Sequence, residues 1–180
     1  MTTSLRTARL TLRPWHESDK SAFAALNADP EVAADLGGPL SRAASDAKLD
    51  RYCAIFERHG VSRLAIEDAH AFVGYAGVMP SRPDHPLGLH MEIGWRLVRS
   101  AWGKGYATEA ARAVLEDAFA RLGVREVLAY TAANNARSQA VMERLDLRRE
   151  PSRDFDALYG GVPWHGLVWV TEMRHGVTQV

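Results

Sequence analysis

Glu92-Ile93-Gly94-Trp95-Arg96-Leu97-Val98 leads through Arg99-Ser100-Ala101-Trp102-Gly103-Lys104-Gly105 into Tyr106-Ala107-Thr108-Glu109-Ala110 and on to Leu122. The first seven residues read as a strand, the middle as a glycine-bearing loop, and the remainder as a long helix. Ala107, Ala110, Ala111, Val114, Leu115, Ala118, Phe119 and Leu122 recur at offsets of three and four and so line one helical face. Gly123 follows at once, as a C-terminal cap requires. The helix therefore begins at the glycines. Its first N–H groups have no intrahelical acceptor and carry the positive end of the helix dipole. Glycines just upstream let the backbone approach a bulky anion without a Cβ in the way. The stretch predicts a phosphate or pyrophosphate site. No Gly-x-x-x-x-Gly-Lys-Ser/Thr run is present, and a dinucleotide fingerprint would place a third glycine where Thr108 stands.

The 180 residues suffice for one domain, spanning 1–180, with a substantial core. The 22 basic side chains balance the 22 acidic ones, so net charge gives no case for a nucleic-acid or membrane partner. The single cysteine, Cys53, excludes an intrachain disulfide and a Cys-rich zinc site. It lies in a helical apolar pattern and reads as a small core residue. No basic-then-apolar leader opens the chain and no segment is long enough to span a membrane, so a cytoplasmic protein is expected.

Thr7 to Pro14 alternates polar and apolar residues and reads as a first strand. Ser18 or Asp19 then opens a short helix with Ala22, Phe23 and Leu26 inward, closed at Asp29-Pro30. Ser41 caps a second helix that Gly60 ends. Arg63–Ile66 and Phe72–Val78 form a hairpin, with Gly74 and Gly77 permitting close packing or a bulge. The proline-bearing segment 80–88 is a loop. Arg125–Thr131 is a strand, and Asn134 or Asn135 caps a helix to about Leu145. The strands at 92–98 and 125–131, joined by a helix, should be parallel neighbours. From Pro151 onward a loop and one last strand, Leu167–Met173, are expected.

The Trp102-x-x-Gly105-x-Ala107 arrangement resembles the Arg/Gln-x-x-Gly-x-Gly/Ala loop of the GCN5-related N-acetyltransferases. Its Trp-Gly-Lys-Gly-Tyr-Ala-Thr-Glu-Ala form is similar to the branch containing the RimJ/RimL-type ribosomal-protein acetyltransferases. Arg9-Leu10-Thr11-Leu12-Arg13-Pro14-Trp15 resembles the opening of the same branch. Asn135-Ala136-Arg137-Ser138-Gln139-Ala140-Val141-Met142-Glu143-Arg144-Leu145 resembles its Asn-x-x-Ser-x-x-Val-Met-Glu-Lys-Leu-Gly segment. The resemblance implies an α/β (α+β) fold with a mixed sheet of about six to seven strands and about four flanking helices. The two central parallel strands would splay apart to admit the pantetheine arm of acetyl-CoA. The chain departs from the pattern at Asp146, where the family has glycine at a left-handed helix end. It departs again at Ala157-Leu158, where relatives carry His-Pro.

What the resemblance implies chemically is acetyl transfer from acetyl-CoA, a cosubstrate, to a primary amine, with no metal. The expected partners are acetyl-CoA and the amine acceptor, and the expected assembly is a monomer or homodimer. Leu97, Val98, Trp102, Gly103, Lys104, Gly105, Tyr106, Ala107, Asn135 and Ser138 are the expected cofactor contacts. Asn135 offers donor and acceptor to the pantetheine amides or simply caps its helix. Ser138 protonates the departing sulfur or satisfies a first-turn amide. The attacking amine must be neutral, whereas lysine-like amines titrate at roughly 10.4 and α-amines at about 8. Glu92 is the expected general base, with His85, His90 and His165 in reserve. Asp154 and Asp156 are read as charges facing a cationic acceptor. A catalytically idle acyl-CoA-binding module of the same fold is the alternative.

Overall fold

The computed structural model describes residues 4–159 and 161–173. Its strands form one mixed sheet: β1 (Leu5–Arg6), β2 (Thr11–Arg13), β3 (Leu64–Glu67), β4 (Phe72–Pro80), β5 (Met91–Leu97), β6 (Glu126–Ala132), β7 (Arg148–Arg149), β8 (Phe155–Tyr159) and β9 (Val162–Glu172). The order is β1-β2-β3-β4-β5-β6-β9-β7, with β8 pairing on β9. The helices are α1 (Lys20–Ala28), α2 (Pro30–Ala33), α3 (Arg42–His59), α4 (Tyr106–Leu122) and α5 (Ala136–Arg144).

The α4 helix has the extent that the apolar spacing dictates. Ala110, Ala111, Val114, Leu115 and Ala118 are buried, and Gly123 adopts the left-handed conformation that closes the helix. They pack with Leu12, Leu64, Ile66, Ala76, Val78, Ile93 and Leu97 of the sheet. Strand alternation sends Tyr75 and Met79 of β4 to the opposite face. There they meet Phe23, Leu26, Leu49 and Tyr52 of α1 and α3. The sheet is thus covered on both faces, with α4 on one and α1 and α3 on the other. No helix among the described residues is long and apolar enough to cross a membrane.

The strand count exceeds the expected six to seven for local reasons. The strand expected over Thr7–Pro14 shortens to β2, because Thr7 turns the chain by bonding Leu10 through both hydroxyl and backbone, and β1 lies before that turn and pairs back on β2. The tail holds a hairpin rather than a loop and one strand: β8 and β9 pair from Phe155↔Gly166 to Tyr159↔Val162. Prolines and glycines there mask the alternation. Ser41 caps α3 as expected, its hydroxyl accepting from the Ala44 amide. Asp146 takes the left-handed conformation (φ 57°), the position where relatives place glycine. The strand expected over Leu167–Met173 is the second half of β9, which ends at Glu172, and the residues beyond Met173 lie outside the described set.

Gly77 shows why β4 carries glycines. A Cβ there would meet the Ser62 carbonyl oxygen at 2.0 Å and Arg63 Cα at 2.7 Å. Both contacts are backbone and cannot swing away. Gly77→Ala should lower unfolding free energy by about 3 kcal/mol in urea titrations, as overpacking does when nothing can relax. A variant as stable as the parent would show that β4 and the start of β3 can separate.

Candidate active site

The loop before α4 is shaped by two left-handed glycines, Gly103 (φ 74°) and Gly105 (φ 78°). Gly105 is the N-cap and brings no side chain to satisfy the helix. The first backbone bond of the helix runs from the Glu109 amide to the Gly105 carbonyl, at 3.1 Å. Among the described residues, the amides from Gly103 to Thr108 find no acceptor. Six consecutive N–H groups therefore stand open at the positive end of a seventeen-residue helix.

Arg9 holds this loop in place from the far end of the sequence. Its Nη1 donates to the Lys104 carbonyl at 2.8 Å, and its Nε donates to Glu109 Oε2 at 2.7 Å. Its guanidinium also lies over the Tyr106 ring. Glu109 Oε1 accepts from the Thr7 hydroxyl (2.6 Å) and the Arg9 amide (2.9 Å). Partial burial raises the Glu109 pKa, but these hydrogen bonds and the Arg9 charge outweigh it, so the carboxyl sits below the usual range.

The open amides face a groove of about 1270 Å³. Its walls are the end of β5 (Trp95, Arg96, Leu97), the glycine loop with the first turns of α4, and the 135–144 segment around α5. The groove exists because β5 and β6 are parallel but share a single registered pair, Glu92↔Leu128. The neighbouring β4–β5 and β6–β9 ladders each run through seven pairs. Beyond Glu92 the strands part, which is the splay the resemblance implied. The lining carries Arg6, Arg96, Lys104, Arg112, Arg137 and Arg144 against Asp35, Glu109 and Glu116. A chain of zero net charge thus concentrates cations at this opening. Two ties cross the gap: Arg137 stacks on the Trp102 ring at 3.6 Å, and Asn135 Nδ2 donates to Asp35 Oδ2. Asp35 is fixed in turn by Trp164, whose Nε1 donates to its carbonyl at 2.9 Å.

Of the expected cofactor residues, Leu97, Trp102, Gly103, Lys104, Gly105, Tyr106, Ala107, Asn135 and Ser138 all line the groove. Val98 does not, since its amide donates to the Val73 carbonyl on β4 at 3.0 Å, the side away from the gap. Asn135 is committed twice: its Oδ1 accepts from the Ser138 amide (3.0 Å) and its Nδ2 bonds Asp35. The cap reading describes it. The Ser138 hydroxyl has no partner among the described residues and faces the groove. Glu92 lies outside the lining, at the base of the splay, ion-paired to Arg63 Nη2 at 2.7 Å. Arg63 Nη1 also donates to the carbonyls of Gly77 and Glu92, riveting β4 to β5.

Asp154 is not aimed at an acceptor. Its oxygens take the Val168 amide (2.9 Å) and the Arg149 guanidinium, fixing the start of β8 against β9. Asp156 is exposed and pairs with His165. Cys53 is half-buried against the α1–α3 core. Arg9 stood in the sequence within the opening motif, but nothing there pointed it at the loop. Asp35, Arg63 and Arg137 carry no local signal, because each works through a partner distant in sequence.

Glu109→Gln should loosen the loop and remove a pH-dependent contribution to stability. A carboxyl held below its unfolded pKa stabilises the fold above that pKa, and the contribution fades as pH falls through the lower folded value. Thermal melts between pH 7 and 3 should therefore show the wild type losing its advantage over Glu109→Gln on acidification. Parallel curves would exclude the linkage.

A family profile described as "Acetyltransferase (GNAT) domain" matches residues 9–148. The Bacillus subtilis protein YkkB is 30% identical over 148 residues, covering 81% of this chain and 85% of that protein. The FsC-acetyl coenzyme A-N(2)-transacetylase of Aspergillus fumigatus is 30% identical over 150 residues, covering 77% of this chain and 62% of that enzyme. Among solved structures, an acetyltransferase from Agrobacterium tumefaciens superimposes with a TM-score of 0.79 at 28% identity, covering 94% of each chain. The RimL ribosomal L7/L12 alpha-N-protein acetyltransferase in complex with coenzyme A shares the fold, with a TM-score of 0.77 at 17% identity over 94% of this chain and 98% of that one. GNAT acetyltransferases use acetyl-CoA. With the open-amide loop, the single-pair splay and these likenesses together, the chain belongs to the GNAT acetyltransferase family.

Proposed function

We propose that residues 1–180 act as one N-acetyltransferase domain of RimJ/RimL-like type, moving the acetyl group of acetyl-CoA to a primary amine by direct attack in a ternary complex. The observation that carries this reading is the run of open amides from Gly103 to Thr108 at the mouth of a cation-lined groove that continues into the splay. Backbone N–H groups at a helix start suit a pyrophosphate, and the cations add charge complementarity. Held there, the carrier places its pantetheine arm along Leu97 and the acyl end towards Glu92. The acceptor is a protein N-terminus or a small-molecule amine, and the working unit is a cytoplasmic monomer or homodimer. Neither a membrane nor a nucleic acid takes part.

Glu92 takes the proton of the incoming ammonium, directly or through water. The neutral nitrogen then attacks the thioester carbonyl carbon, and the C–S bond breaks. The open Ser138 hydroxyl, on the groove wall, donates its proton to the leaving sulfur and recovers one from the nitrogen of the collapsing intermediate. The uncommitted hydroxyl favours this reading over an idle acyl-CoA-binding module, in which it would have no task.

The decisive assay is free-thiol release from acetyl-CoA across a panel of primary amines: spermidine, an aminoglycoside, free amino acids and peptides with open N-termini. Turnover of at least one is expected. Acetyl-CoA binding without any turnover would favour the idle module, and no binding would remove both readings. Gly105→Val puts a branched Cβ at a left-handed position among the open amides. Calorimetric titration should show acetyl-CoA affinity falling by about 100-fold or more, given the several charge-assisted bonds at stake. Circular dichroism would confirm retained fold, and unchanged affinity would contradict the phosphate loop. Glu92→Gln should lower kcat and flatten its pH profile with acetyl-CoA affinity intact, and an unchanged profile would retire Glu92 as base.

A further inference from the structure

Three proton-exchanging groups converge at the base of the splay, outside the groove. His85 and His90 come from the loop between β4 and β5, and Glu92 comes from β5 itself. One nitrogen or oxygen of each lies within 4.8 Å of the others. The Nε2 atoms of both histidines are buried without a partner among the described residues. The rings are wedged rather than loose. His85 packs on His90 (4.7 Å between centroids), Phe155 (4.7 Å) and Tyr130 (5.1 Å), and His90 also meets Tyr130.

Two histidines and a carboxylate resemble a metal triad, but the tautomers oppose that use. The Leu87 amide donates to His85 Nδ1 at 3.1 Å, so that nitrogen holds a lone pair and the ring proton sits on Nε2. His90 is the reverse. Its Nδ1 faces the Gly88 carbonyl at 2.9 Å, and a carbonyl only accepts, so the proton is on Nδ1 and Nε2 is a lone pair. The cluster therefore presents one donor, His85 Nε2–H, and two acceptors, His90 Nε2 and the Glu92 carboxylate. Burial lowers the His85 pKa to about 4, helped by His90 and Arg82, which keeps that ring a neutral donor.

The Glu92–Arg63 pair supplies the reason for a second base. The side chains of Arg63 and Glu92 are only 8% and 15% exposed. A proton left on Glu92 would strand the Arg63 guanidinium with its charge uncompensated. Resting on the acetyl-transfer reading, we propose that His90 is the terminal acceptor of a relay in which Glu92 takes the amine's proton and passes it to His90 Nε2. The ammonium N–H bond breaks and a Glu92 O–H bond forms. That proton then moves to His90 Nε2 across one water steadied by His85 Nε2–H, and Glu92 regains its charge opposite Arg63. The amine lone pair forms the new bond to the thioester carbon and the C–S bond breaks; the nitrogen's second proton reaches the sulfur through the Ser138 hydroxyl, which gives its own proton as it takes that one, so the carrier leaves as a thiol, and the His90 imidazolium returns its proton to solvent.

The groups around His90 fit this role. Tyr130 from β6 and His85 from the loop flank it, and Glu92 faces it with Arg63 behind. Tyr159 of β8 is pushed up by burial and then by the Glu92 charge, so it stays a neutral phenol. Arg82 and Asp84 act on His85 with opposite sign.

Two measurements on the full chain decide the matter. Long-range ¹H–¹⁵N spectra of the imidazoles should show His85 as the Nε2–H tautomer and His90 as the Nδ1–H tautomer. Either ring in the other tautomer, or stoichiometric Zn²⁺ shifting both rings together, overturns the relay. With the panel amine that the wild type turns over fastest, His90→Gln should keep its acetyl-CoA KM and lose about 100-fold in kcat near pH 7. That loss should shrink as pH rises towards the amine's own pKa. A His90→Gln profile superimposable on wild type overturns the relay and leaves the acetyltransferase reading standing. A wild type that turns over no amine removes that reading, and the tautomer spectra still judge the histidines.

Discussion

The molecule turns on two parallel strands that meet at one point. β5 and β6 share the Glu92↔Leu128 pair and then separate. A sheet interior does not leave strand edges unpaired without a replacement, since buried N–H and C=O groups are costly to orphan. Full antiparallel ladders on either side hold each strand rigid while the gap stays open. The α4 helix, packed on one face, brings its bare N-terminus to the mouth of that gap. The opening, the open-amide loop and the polar cluster at its base are three depths of a single departure from regular pairing.

Charge placement follows the same geometry. The open amides and the surrounding arginines occupy the wide end, where a polyanion would lie in solvent-facing space. The Arg63–Glu92 pair and the two histidines occupy the narrow end, where burial makes every proton position matter. Side chains tie the walls together at intermediate depth, through Trp102–Arg137 and Asn135–Asp35. The walls of the groove are therefore bound to each other by groups of the site itself.

Much of this was legible in the chain. The 3.6-residue apolar period and Gly123 placed α4 to within a residue of its ends, and the glycines ahead of it marked the loop. Parallel pairing of β5 and β6 followed from connection length. Elements that lacked periodicity were lost: the β8–β9 hairpin, obscured by proline and glycine, and the turn between β1 and β2, which Thr7 closes on Leu10. Nine of the ten expected cofactor residues line the groove, since loop spacing constrains them locally. Val98 lies outside that lining because which edge of a strand an amide faces is set by its neighbour, here Val73. The same holds for Arg9, Arg63 and Asp35, whose partners sit far along the chain.

The Arg9 clamp ties the loop to a segment made a hundred residues earlier, at the outer edge of the sheet. Among the described residues, the one side-chain hydrogen bond that the 103–108 segment takes is the Arg9 donation to the Lys104 carbonyl. A ligand held by the open amides would therefore be thermodynamically linked to seating of the N-terminal edge, each favouring the other. A short edge strand of two paired residues would thereby take a share in ligand affinity that its own few ladder bonds would never suggest.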